Sequence, residues 1–412
     1  MQFMEKQMKL VVIGGGAAGF FCAVNAARLH PGWKVIILEK SARVLSKVKV
    51  SGGGRCNVTH HAESISSMAK GYPRGEAFLK KAFHHFGPTD TIEWFRERGV
   101  DLKAEADGRM FPVTDHSQTI IDCLLQEASK YQVDVRLLCG VEYVRKQNAH
   151  WLIGLSQKKT IEANAVCIAT GGFPKTIAYD WLKETGHTIV PPVPSLFTFN
   201  MPTHPLNALM GIAVQANVKL KGTKWQQQGA VLITHWGLSG PAVLKLSAFA
   251  ARMLHEMNYH FTVIVQWLPE YNQQTLAEKM QEYRTTLASR KIFSKNPFQL
   301  PARLWELALQ LCGVNEAWRW ADVPAKAMHK LVNWLTGLEL NMKGKTTFKE
   351  EFVTAGGIPL TELDTHTMQS KIQPGLFFAG EVIDVDGITG GYNFQNAWTT
   401  GWLVAHAIGQ NT

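Results

Sequence analysis

Residues 10–19 read LVVIGGGAAG, an apolar segment that runs directly into a glycine-rich turn. In such a motif Gly14 permits a tight bend, Gly16 lets backbone amides approach a pyrophosphate, and Gly19 lets the next helix pack against the strand. A second apolar segment ends at Glu39, where a carboxylate can bind a ribose 2′-hydroxyl but repels a 2′-phosphate. The spacing predicts a dinucleotide-binding βαβ unit for FAD or NAD. The alternative is a glycine-rich turn in an ordinary α/β protein.

Length and composition indicate the class of protein. The 412 residues exceed what one simple core holds, so we expect two or three domains. With 46% hydrophobic and 18% charged residues the composition is globular, and no apolar run is long enough to span a membrane. The six cysteines form neither a disulfide framework nor a Cys-x-x-Cys metal pattern. We therefore predict no metal site and a cytoplasmic location.

The formal net charge of +10 favours polyanionic partners. Residues 40–55 contain no acid, and basic residues recur later in the chain. The basic groups are Lys40, Arg43, Lys47, Lys49 and Arg55, then Lys219, Lys221 and Lys224, then Arg290, Lys291 and Lys295. Two interpretations stay open. The groups form either a solvated face with contacts to cofactor phosphates, or a surface that binds nucleic acid.

Changes of pattern along the chain divide it into three parts. A proline-rich stretch at 190–194 suits a crossing between domains. Alternating apolar residues then indicate a β-rich insert, and leucines at helical spacing indicate a helical part. The predicted domains are a Rossmann-like domain (1–192 and 356–412), a β-rich insert (193–268 and 344–355) and a helical subdomain (269–343).

Local patterns predict individual elements of the first part. Residues 77–100 have apolar positions typical of a helix, and Ser117 is a candidate N-cap for a helix over 118–131. Strands are predicted at 133–138, 141–145, 151–155 and 161–169. A helix, a small antiparallel crossover and a returning strand are typical of an FAD-binding domain of the glutathione-reductase type rather than of a dehydrogenase.

The C-terminal segment favours FAD over NAD. A predicted strand at 376–379 leads into Gly380 and Glu381, and an acid at this place can bind the ribityl hydroxyls of a flavin. A glycine-rich run at 386–391 opens the last helix, where unpaired amides can stabilise negative charge at the flavin pyrimidine edge. With the first motif and residues 169–172, this segment predicts one FAD site built from separate pieces of chain.

Four motifs carry a specific family resemblance: KVKVSGGGRCN at 47–57, THWGLSGPA at 234–242, TAGGI at 354–358 and GEVID at 380–384. With them the chain resembles the BaiN-like (YhiN-type) NAD(P)/FAD-dependent flavoproteins, also labelled aminoacetone oxidase-like, over nearly its whole length. The resemblance implies an α/β fold in which β-barrel-like and small helical domains interrupt a Rossmann-like FAD-binding domain. It also implies that some members reduce a uridine in large-subunit ribosomal RNA.

The candidate site residues fall into two groups. Cys56 and His235 are candidate catalytic acids, because a thiol or an imidazole can protonate one carbon of a double bond while flavin N5 delivers hydride to the other. The alternatives are an inert buried cysteine and a loop histidine bonded to a backbone carbonyl. The predicted cofactor-binding residues are Gly14, Gly16, Ala17, Ala18, Gly19, Glu39, Lys40, Ser51, Gly52, Gly53, Arg55, Asn57, Ala169, Thr170, Gly171, Gly380, Glu381, Asp384, Gly390, Gly391, Tyr392 and Asn393.

The predicted function is FAD-dependent reduction of a C=C bond, with uridine in ribosomal RNA as the preferred substrate. A small-molecule reductase or oxidase acting on an enone, a steroid-like compound or an amine is the second hypothesis. A non-catalytic, flavin-bearing assembly factor that binds RNA is the third. Because no second GxGxxG unit follows, we expect NAD(P)H to act as a transient electron donor or another donor to reduce the flavin. Oligomeric state stays open.

Overall fold

The computed structural model of the protein describes residues 7–347 and 353–409. Within these ranges no helix is long and apolar enough to cross a membrane. The helices are α1 (Ala17–Leu29), α2 (Ser46–Gly54), α3 (Ile65–Ala69), α4 (Glu76–Ala82), α5 (Pro88–Arg96), α6 (Ser117–Lys130), α7 (Asp180–Lys183), α8 (Pro241–Phe249), α9 (Ala251–Glu256), α10 (Gln273–Thr286), α11 (Ala302–Leu311), α12 (Ala325–Gly337) and α13 (Tyr392–Ala407). The strands are β1 (Lys9–Ile13), β2 (Lys34–Leu38), β3 (Thr59–His60), β4 (Leu102–Ala104), β5 (Arg109–Pro112), β6 (Asp134–Arg136), β7 (Val141–Gln147), β8 (His150–Leu155), β9 (Thr160–Ala163), β10 (Ala165–Ile168), β11 (Val190–Ser195), β12 (Thr198–Asn200), β13 (Ala213–Leu220), β14 (Gln226–Thr234), β15 (Gly237–Ser239), β16 (His260–Gln266), β17 (Leu338–Lys343), β18 (Lys345–Thr346), β19 (Val353–Gly357) and β20 (Leu376–Phe378).

A five-stranded parallel sheet forms the core of one compact unit, to which the described residues up to 195 and from 353 belong. The strand order is β20-β10-β1-β2-β6, so β1 is central, with Val12 opposite Cys167 on one side and Ile37 on the other. Residues 10–13 are buried, which explains why β1 is continuously apolar rather than alternating. The predicted Rossmann-like α/β fold is confirmed.

Helices α1 and α13 pack closely against each other in this unit. A Cβ atom on Gly401 would lie 2.7 Å from the carbonyl oxygen of Ala18, so only glycine allows this approach. Trp398 of α13 is fully buried, and its indole donates a 2.8 Å hydrogen bond to the carbonyl of Val58. The Trp398 ring also lies 5.2 Å, centroid to centroid, from the ring of Phe21 in α1, so side-chain packing joins the two helices as well.

The predicted single strand at 161–169 is wrong, because the chain changes sheets within it. Strand β9 pairs with β8 in a three-stranded antiparallel sheet, whereas β10 joins the parallel sheet beside β1. Asn164 lies at the change. Its side chain accepts a 2.9 Å hydrogen bond from the amide of Lys9, and its own amide donates to the Lys9 carbonyl at 2.9 Å. Hydrophobicity did not reveal the switch, since both strands contribute buried residues to one apolar run.

Two helix predictions also need correction. The region 77–100 holds two helices, because α4 ends at Ala82 and α5 begins only after Gly87. The amide of Gly87 donates to the Asp90 carboxylate at 2.7 Å, which starts the second helix. Ser117 lies inside α6 and not at its N-cap. Its hydroxyl instead donates to the carbonyl of Lys49 at 2.8 Å, a tertiary contact that the sequence does not indicate.

The second unit, residues 196–347 of the described chain, contains a seven-stranded antiparallel sheet with the order β17-β16-β13-β14-β15-β12-β18. Strand β13 alternates exposed and buried residues, as expected for a sheet with one covered face. Helices α10, α11 and α12 contribute to the same hydrophobic core as the sheet, including the stacked, fully buried rings of Trp305 and Trp320. The division of the chain into three domains stays a prediction.

Candidate functional site

The carboxyl ends of the parallel strands bring separate motifs to one edge of the sheet. Strand β1 ends before Gly14, β2 before Glu39, β10 before Ala169, and β20 two residues before Gly380. The amides of Gly14 and Ala169 each donate a 2.8 Å hydrogen bond to the end of the neighbouring strand. Ligands of open α/β sheets bind at this edge. Most predicted cofactor-binding residues therefore lie where such a fold binds its ligand.

The three glycines of the first motif have different surroundings. Gly14 has φ of +115°, and a Cβ on it would lie 2.3 Å from the carbonyl oxygen of Ala169. A Cβ on Gly19 would lie 1.9 Å from the carbonyl oxygen of Gly14. Gly16 has φ of −91°, and no described atom beyond its chain neighbours lies within 4 Å of its Cβ position. Packing requires Gly14 and Gly19, whereas Gly16 faces open space.

Ala17 and Ala18 begin α1 directly behind this open space. The first amides of a helix have no intrahelical acceptor and carry the positive end of the helix dipole. Gly16 supplies no side-chain cap to them. Ala18 is buried, and its Cβ would lie 2.8 Å from a Cβ on Gly380. The turn after β1 therefore presents hydrogen-bond donors suited to an anion. It lies close to Gly380, which follows the end of β20.

Glu39 is fixed beside the glycine turn by its own carboxylate. Its Oε2 accepts the amide of Gly15 and its Oε1 accepts the amide of Ser41, both at 2.8 Å. A carboxylate oxygen has two lone pairs, so each oxygen can accept one further hydrogen bond from a ligand. Lys40 is exposed, and its ammonium lies 5.5 Å from the ring centroid of Phe173.

Glu381, which follows β20, lies beside residues of β19 and α2 and beside Gly172, which follows β10. Its Oε1 accepts the amide of Thr354 at 2.8 Å, and its Oε2 pairs with Lys47 at 2.8 Å. The Thr354 hydroxyl is buried and has no hydrogen-bond partner in the described part of the chain. It lies 2.6 Å from the place that a Cβ on Gly172 would take. A buried, unsatisfied hydroxyl beside a carboxylate is suited to bind the hydroxyl of a ligand.

Three further predicted residues lie near these strand ends. Thr170 is half-buried, and Gly171 has φ of +74° with open space at its Cβ position. Asp384 is half-buried, and its amide donates to the carbonyl of Ile358 at 2.8 Å.

Ser51, Gly52 and Gly53 interrupt a short helix rather than form a free loop. Helix α2 spans Ser46–Gly54, but Ser51 has an extended ψ of 148°, and the two glycines have left-handed φ of 58° and 68°. A Cβ on Gly52 would lie 3.0 Å from the Phe111 ring, whereas no described atom beyond the chain neighbours lies within 4 Å of a Cβ on Gly53. The glycines therefore let the chain turn closely past an aromatic ring.

Cys56 follows this turn and is fully buried, with φ of +60°. Burial raises the pKa of its thiol to about 12, although a hydrogen bond with Ser51 opposes the rise. Release of a proton from such a group at pH 7 costs about 7 kcal/mol. General acids work best with a pKa near the operating pH. These properties favour the packing alternative for Cys56 over the catalytic one.

Arg55 belongs to a cluster that the sequence analysis missed. Its guanidinium lies 4.0 Å from the ring centroid of Phe111 and pairs with Glu105 at 2.7 Å. Arg109 pairs with the other oxygen of Glu105 at 2.6 Å, so one carboxylate bridges two guanidinium groups. No motif marks Glu105 or Arg109. They come together because β4 pairs with β5 in a hairpin.

Asn57 joins the 51–57 segment to the start of α13. Oriented to satisfy its neighbours, its amide donates to the carbonyl of Thr59 at 3.0 Å and accepts from the amide of Gly391 at 3.1 Å. Gly390 and Gly391 have φ of +117° and +94°, a region that favours glycine. A Cβ on Gly391 would lie 2.4 Å from the Thr59 carbonyl oxygen. Two segments predicted to border the flavin are therefore bonded directly to each other.

Tyr392 and Asn393 begin α13, and their side chains brace the glycine-rich run. The Tyr392 ring packs over Gly71, where a Cβ would lie 2.0 Å away, and stacks with His60 at a centroid distance of 4.8 Å. Asn393 accepts from the amide of Gly387 at 2.8 Å and donates to its carbonyl at 3.1 Å. Both side chains are thus used within the protein.

Asp386 forms a buried ion pair that sequence reasoning missed. It is fully buried, and both of its oxygens contact the guanidinium of Arg74. Its Oδ2 also accepts the hydroxyl of Ser195, the last residue of β11, at 2.6 Å. The partners lie 312 and 191 residues away in the sequence, so nothing local indicates them. The pair anchors the glycine-rich run to two other segments of its unit.

His235 lies in the second unit, at the exposed turn between β14 and β15. Its ring meets the Trp236 ring edge to face, with centroids 4.3 Å apart. Cys56 lies in the first unit, among the segments at the sheet edge. The catalytic role of His235 stays a prediction.

A protein-family model described as HI0933-like protein Rossmann domain matches residues 8–407. The chain belongs to the HI0933-like family. Curated proteins of similar length are also similar to this chain. A protein of Escherichia coli (strain K12) named "Ribosomal RNA dihydrouridine synthase" is 30% identical over 408 residues, which cover 97% of each chain. A protein of Clostridium scindens named "3-dehydro-bile acid delta(4,6)-reductase" is 28% identical, over 98% of this chain and 99% of the relative.

Solved enzyme structures share the fold of this HI0933-like protein. The 3-ketosteroid-delta4-(5alpha)-dehydrogenase from Rhodococcus jostii RHA1, in complex with 4-androstene-3,17-dione, is similar over 98% of both chains with a TM-score of 0.50. At 13% identity the likeness concerns the fold alone. The predicted resemblance to the BaiN-like flavoproteins is confirmed. With the family, the fold identifies the chain as an FAD-dependent oxidoreductase.

Proposed function

We propose that this HI0933-like protein reduces the C5=C6 bond of a uridine in large-subunit ribosomal RNA to give dihydrouridine. The observation that carries the proposal is the full-length similarity to a protein named ribosomal RNA dihydrouridine synthase, at 30% identity. The net charge of +10 supports a polyanionic substrate.

The sheet edge fits FAD, which when bound supplies hydride from N5 of its reduced isoalloxazine. The amides beside Gly16 are suited to its pyrophosphate, because they lie at a helix N-terminus next to the open space at the Gly16 Cβ position. The Glu39 carboxylate is suited to the ribose hydroxyls. Glu381 and the unsatisfied hydroxyl of Thr354 are suited to the ribityl chain. The first amides of α13 are suited to the pyrimidine edge of the ring.

Reduction of uracil adds hydride at C6 and a proton at C5, because C5=C6 is conjugated with the C4 carbonyl. Arg55 is half-exposed and held by Phe111 and Glu105, so we assign it to binding a carbonyl or phosphate of the substrate. Cys56 is a poor proton donor, because burial raises the pKa of its thiol to about 12. A base in folded RNA must also leave its stack before it can reach a flavin.

A second candidate function is reduction of a small unsaturated ketone. The relative named 3-dehydro-bile acid delta(4,6)-reductase favours it, since it covers 98% of this chain at 28% identity. Both candidates use the same chemistry, hydride addition to a double bond conjugated with a carbonyl. They differ in what surrounds that bond, a polyanionic chain or an apolar ring system.

Deletion of the gene, followed by measurement of dihydrouridine in large-subunit ribosomal RNA by mass spectrometry, tests the proposal. We expect the modification to disappear and to return when the wild-type gene is supplied. An unchanged dihydrouridine level overturns the RNA substrate. In parallel, the reduced protein is mixed anaerobically with ribosomal RNA transcript or with a 3-keto-Δ4 steroid. Faster flavin reoxidation by the steroid alone supports the second candidate.

A further inference from the structure

The basic ribbon, residues 290–295 and 318–320 of the second unit, carries a group of exposed cations. Lys291 and Arg319 lie directly opposite each other in an antiparallel bridge, with backbone hydrogen bonds of 3.0 and 3.2 Å beside it. Residues opposite each other in such a pair project to the same side. Both side chains are exposed, as are those of Arg290 and Lys295.

Buried tryptophans hold the backbone of the basic ribbon. The indole of Trp305 donates to the carbonyl of Ile292 at 3.0 Å, and the indole of Trp320 donates to the carbonyl of Lys295 at 3.2 Å. Ile292 and both tryptophans are 0–1% exposed. Residues that alternate with the cations therefore point into the core, and the cations are carried on an ordered support. Because the backbone of the basic ribbon is held in place already, binding of a partner costs little further backbone entropy.

In the part of the chain that the structure describes, the cations of the basic ribbon have no acidic partner. None of Arg290, Lys291, Lys295 and Arg319 forms an ion pair within the ranges 7–347 and 353–409. The carboxylate of Asp322 accepts the backbone amide of Arg319 at 3.1 Å instead. Like charges opposite each other destabilise a β-pair. An anion bound across them removes this repulsion, and phosphates spaced along a chain provide such anions.

We propose that the basic ribbon binds the phosphate backbone of the RNA substrate, an inference that rests on the proposed function. Contacts between such cations and phosphates position an RNA without reading its sequence. They also release counterions, so binding weakens as salt rises. The ribbon supplies affinity and register, while the choice of uridine belongs to the flavin site.

The test compares two triple variants that lose the same charge. The ribbon variant is Arg290→Gln, Lys291→Gln, Arg319→Gln. The control is Arg96→Gln, Arg145→Gln, Lys183→Gln, which removes exposed cations that already pair with Glu93, Glu184 and Asp180. The Kd for an unmodified large-subunit ribosomal RNA transcript is measured from about 50 to 200 mM salt. We expect the ribbon variant to bind the transcript at least about tenfold more weakly at 100 mM salt. The slope of the logarithm of the binding constant against the logarithm of the salt concentration should become less steep by about 2–3.

The control should stay within about threefold of the wild type, and FAD content and thermal unfolding confirm that both variants fold. A ribbon variant with the Kd and salt slope of the wild type overturns the inference and leaves the proposed function intact. A wild-type protein that does not bind the transcript overturns the RNA substrate itself. Lys291→Glu alone reverses one exposed charge. If the triple variant does not fold, Lys291→Glu takes its place in the test. A Kd of Lys291→Glu equal to that of the wild type then overturns the inference.

Discussion

Replacing Gly16 by Val tests whether the open space at the start of α1 is where FAD places its pyrophosphate. Gly16 has φ of −91° and ψ of −169°, a conformation that Val also adopts, and its Cβ would meet no described atom beyond its neighbours within 4 Å. No capping hydrogen bond is lost, because Gly16 has no side chain to supply one. We therefore expect the free energy of unfolding of the apoprotein to change by less than about 1 kcal/mol.

Binding of FAD should change much more. The isopropyl group fills the space in which phosphate oxygens accept backbone amides, and each such charged hydrogen bond contributes about 1.5–3 kcal/mol. Loss of two of them weakens binding by about 3–6 kcal/mol, which raises the Kd of FAD by a factor of about 10² to 10⁴. Titration of apoprotein with FAD, followed by flavin fluorescence, gives the Kd. Urea unfolding of the same apoprotein gives the stability.

Two other glycines provide controls. A Cβ on Gly32 would also meet nothing within 4 Å, and Gly32 lies at an exposed turn before β2, so Gly32→Val should bind FAD like the wild type. Gly14→Ala should instead destabilise the apoprotein by several kcal/mol, because its φ is +115° and its Cβ would lie 2.3 Å from the Ala169 oxygen. A Gly16→Val protein that purifies with full FAD and an unchanged Kd refutes the assigned phosphate position.

Two further predictions concern buried groups of the first unit. Cys56→Ala should lower the rate of flavin reoxidation by substrate less than about threefold and leave its pH dependence unchanged, whereas loss of a general acid costs about 10²–10⁴. Stopped-flow absorbance measures this rate, and a drop of that size would restore Cys56 as the proton donor. Asp386→Asn leaves the guanidinium of Arg74, 13% exposed, without its carboxylate, and should lower the free energy of unfolding by about 3–5 kcal/mol. Urea unfolding measures it, and a loss below about 1 kcal/mol contradicts the assigned pair.

The sequence predicted the sheet edge because the relevant signals are local. An apolar strand, a glycine turn and an acid at the end of the next strand each lie within a few residues, and a parallel sheet then brings the strand ends together. The same reasoning did not separate Gly14 from Gly16. Both occur in one motif, but only the structure shows that the first packs against Ala169 while the second faces open space.

Contacts between distant segments could not be predicted from the sequence. The bridge from Arg55 through Glu105 to Arg109 depends on a hairpin whose strands are three and four residues long. The switch of sheets at Asn164 depends on backbone pairing with Lys9. Neither has a signature in composition or periodicity, because a hydrogen-bond partner that is remote in sequence leaves no regular spacing.

Residues 51–57 belong to one of the motifs by which the chain resembles its family, but they do not identify a proton donor. The contacts of Cys56 and Asn57 give a physical reason for this. Asn57 binds backbone groups of Thr59 and Gly391, and Cys56 is fully buried, so both hold the architecture. Arg55 is the one charged residue of 51–57, and it is 35% exposed. Of the residues in 51–57, Arg55 is therefore the one that we expect to contact the substrate.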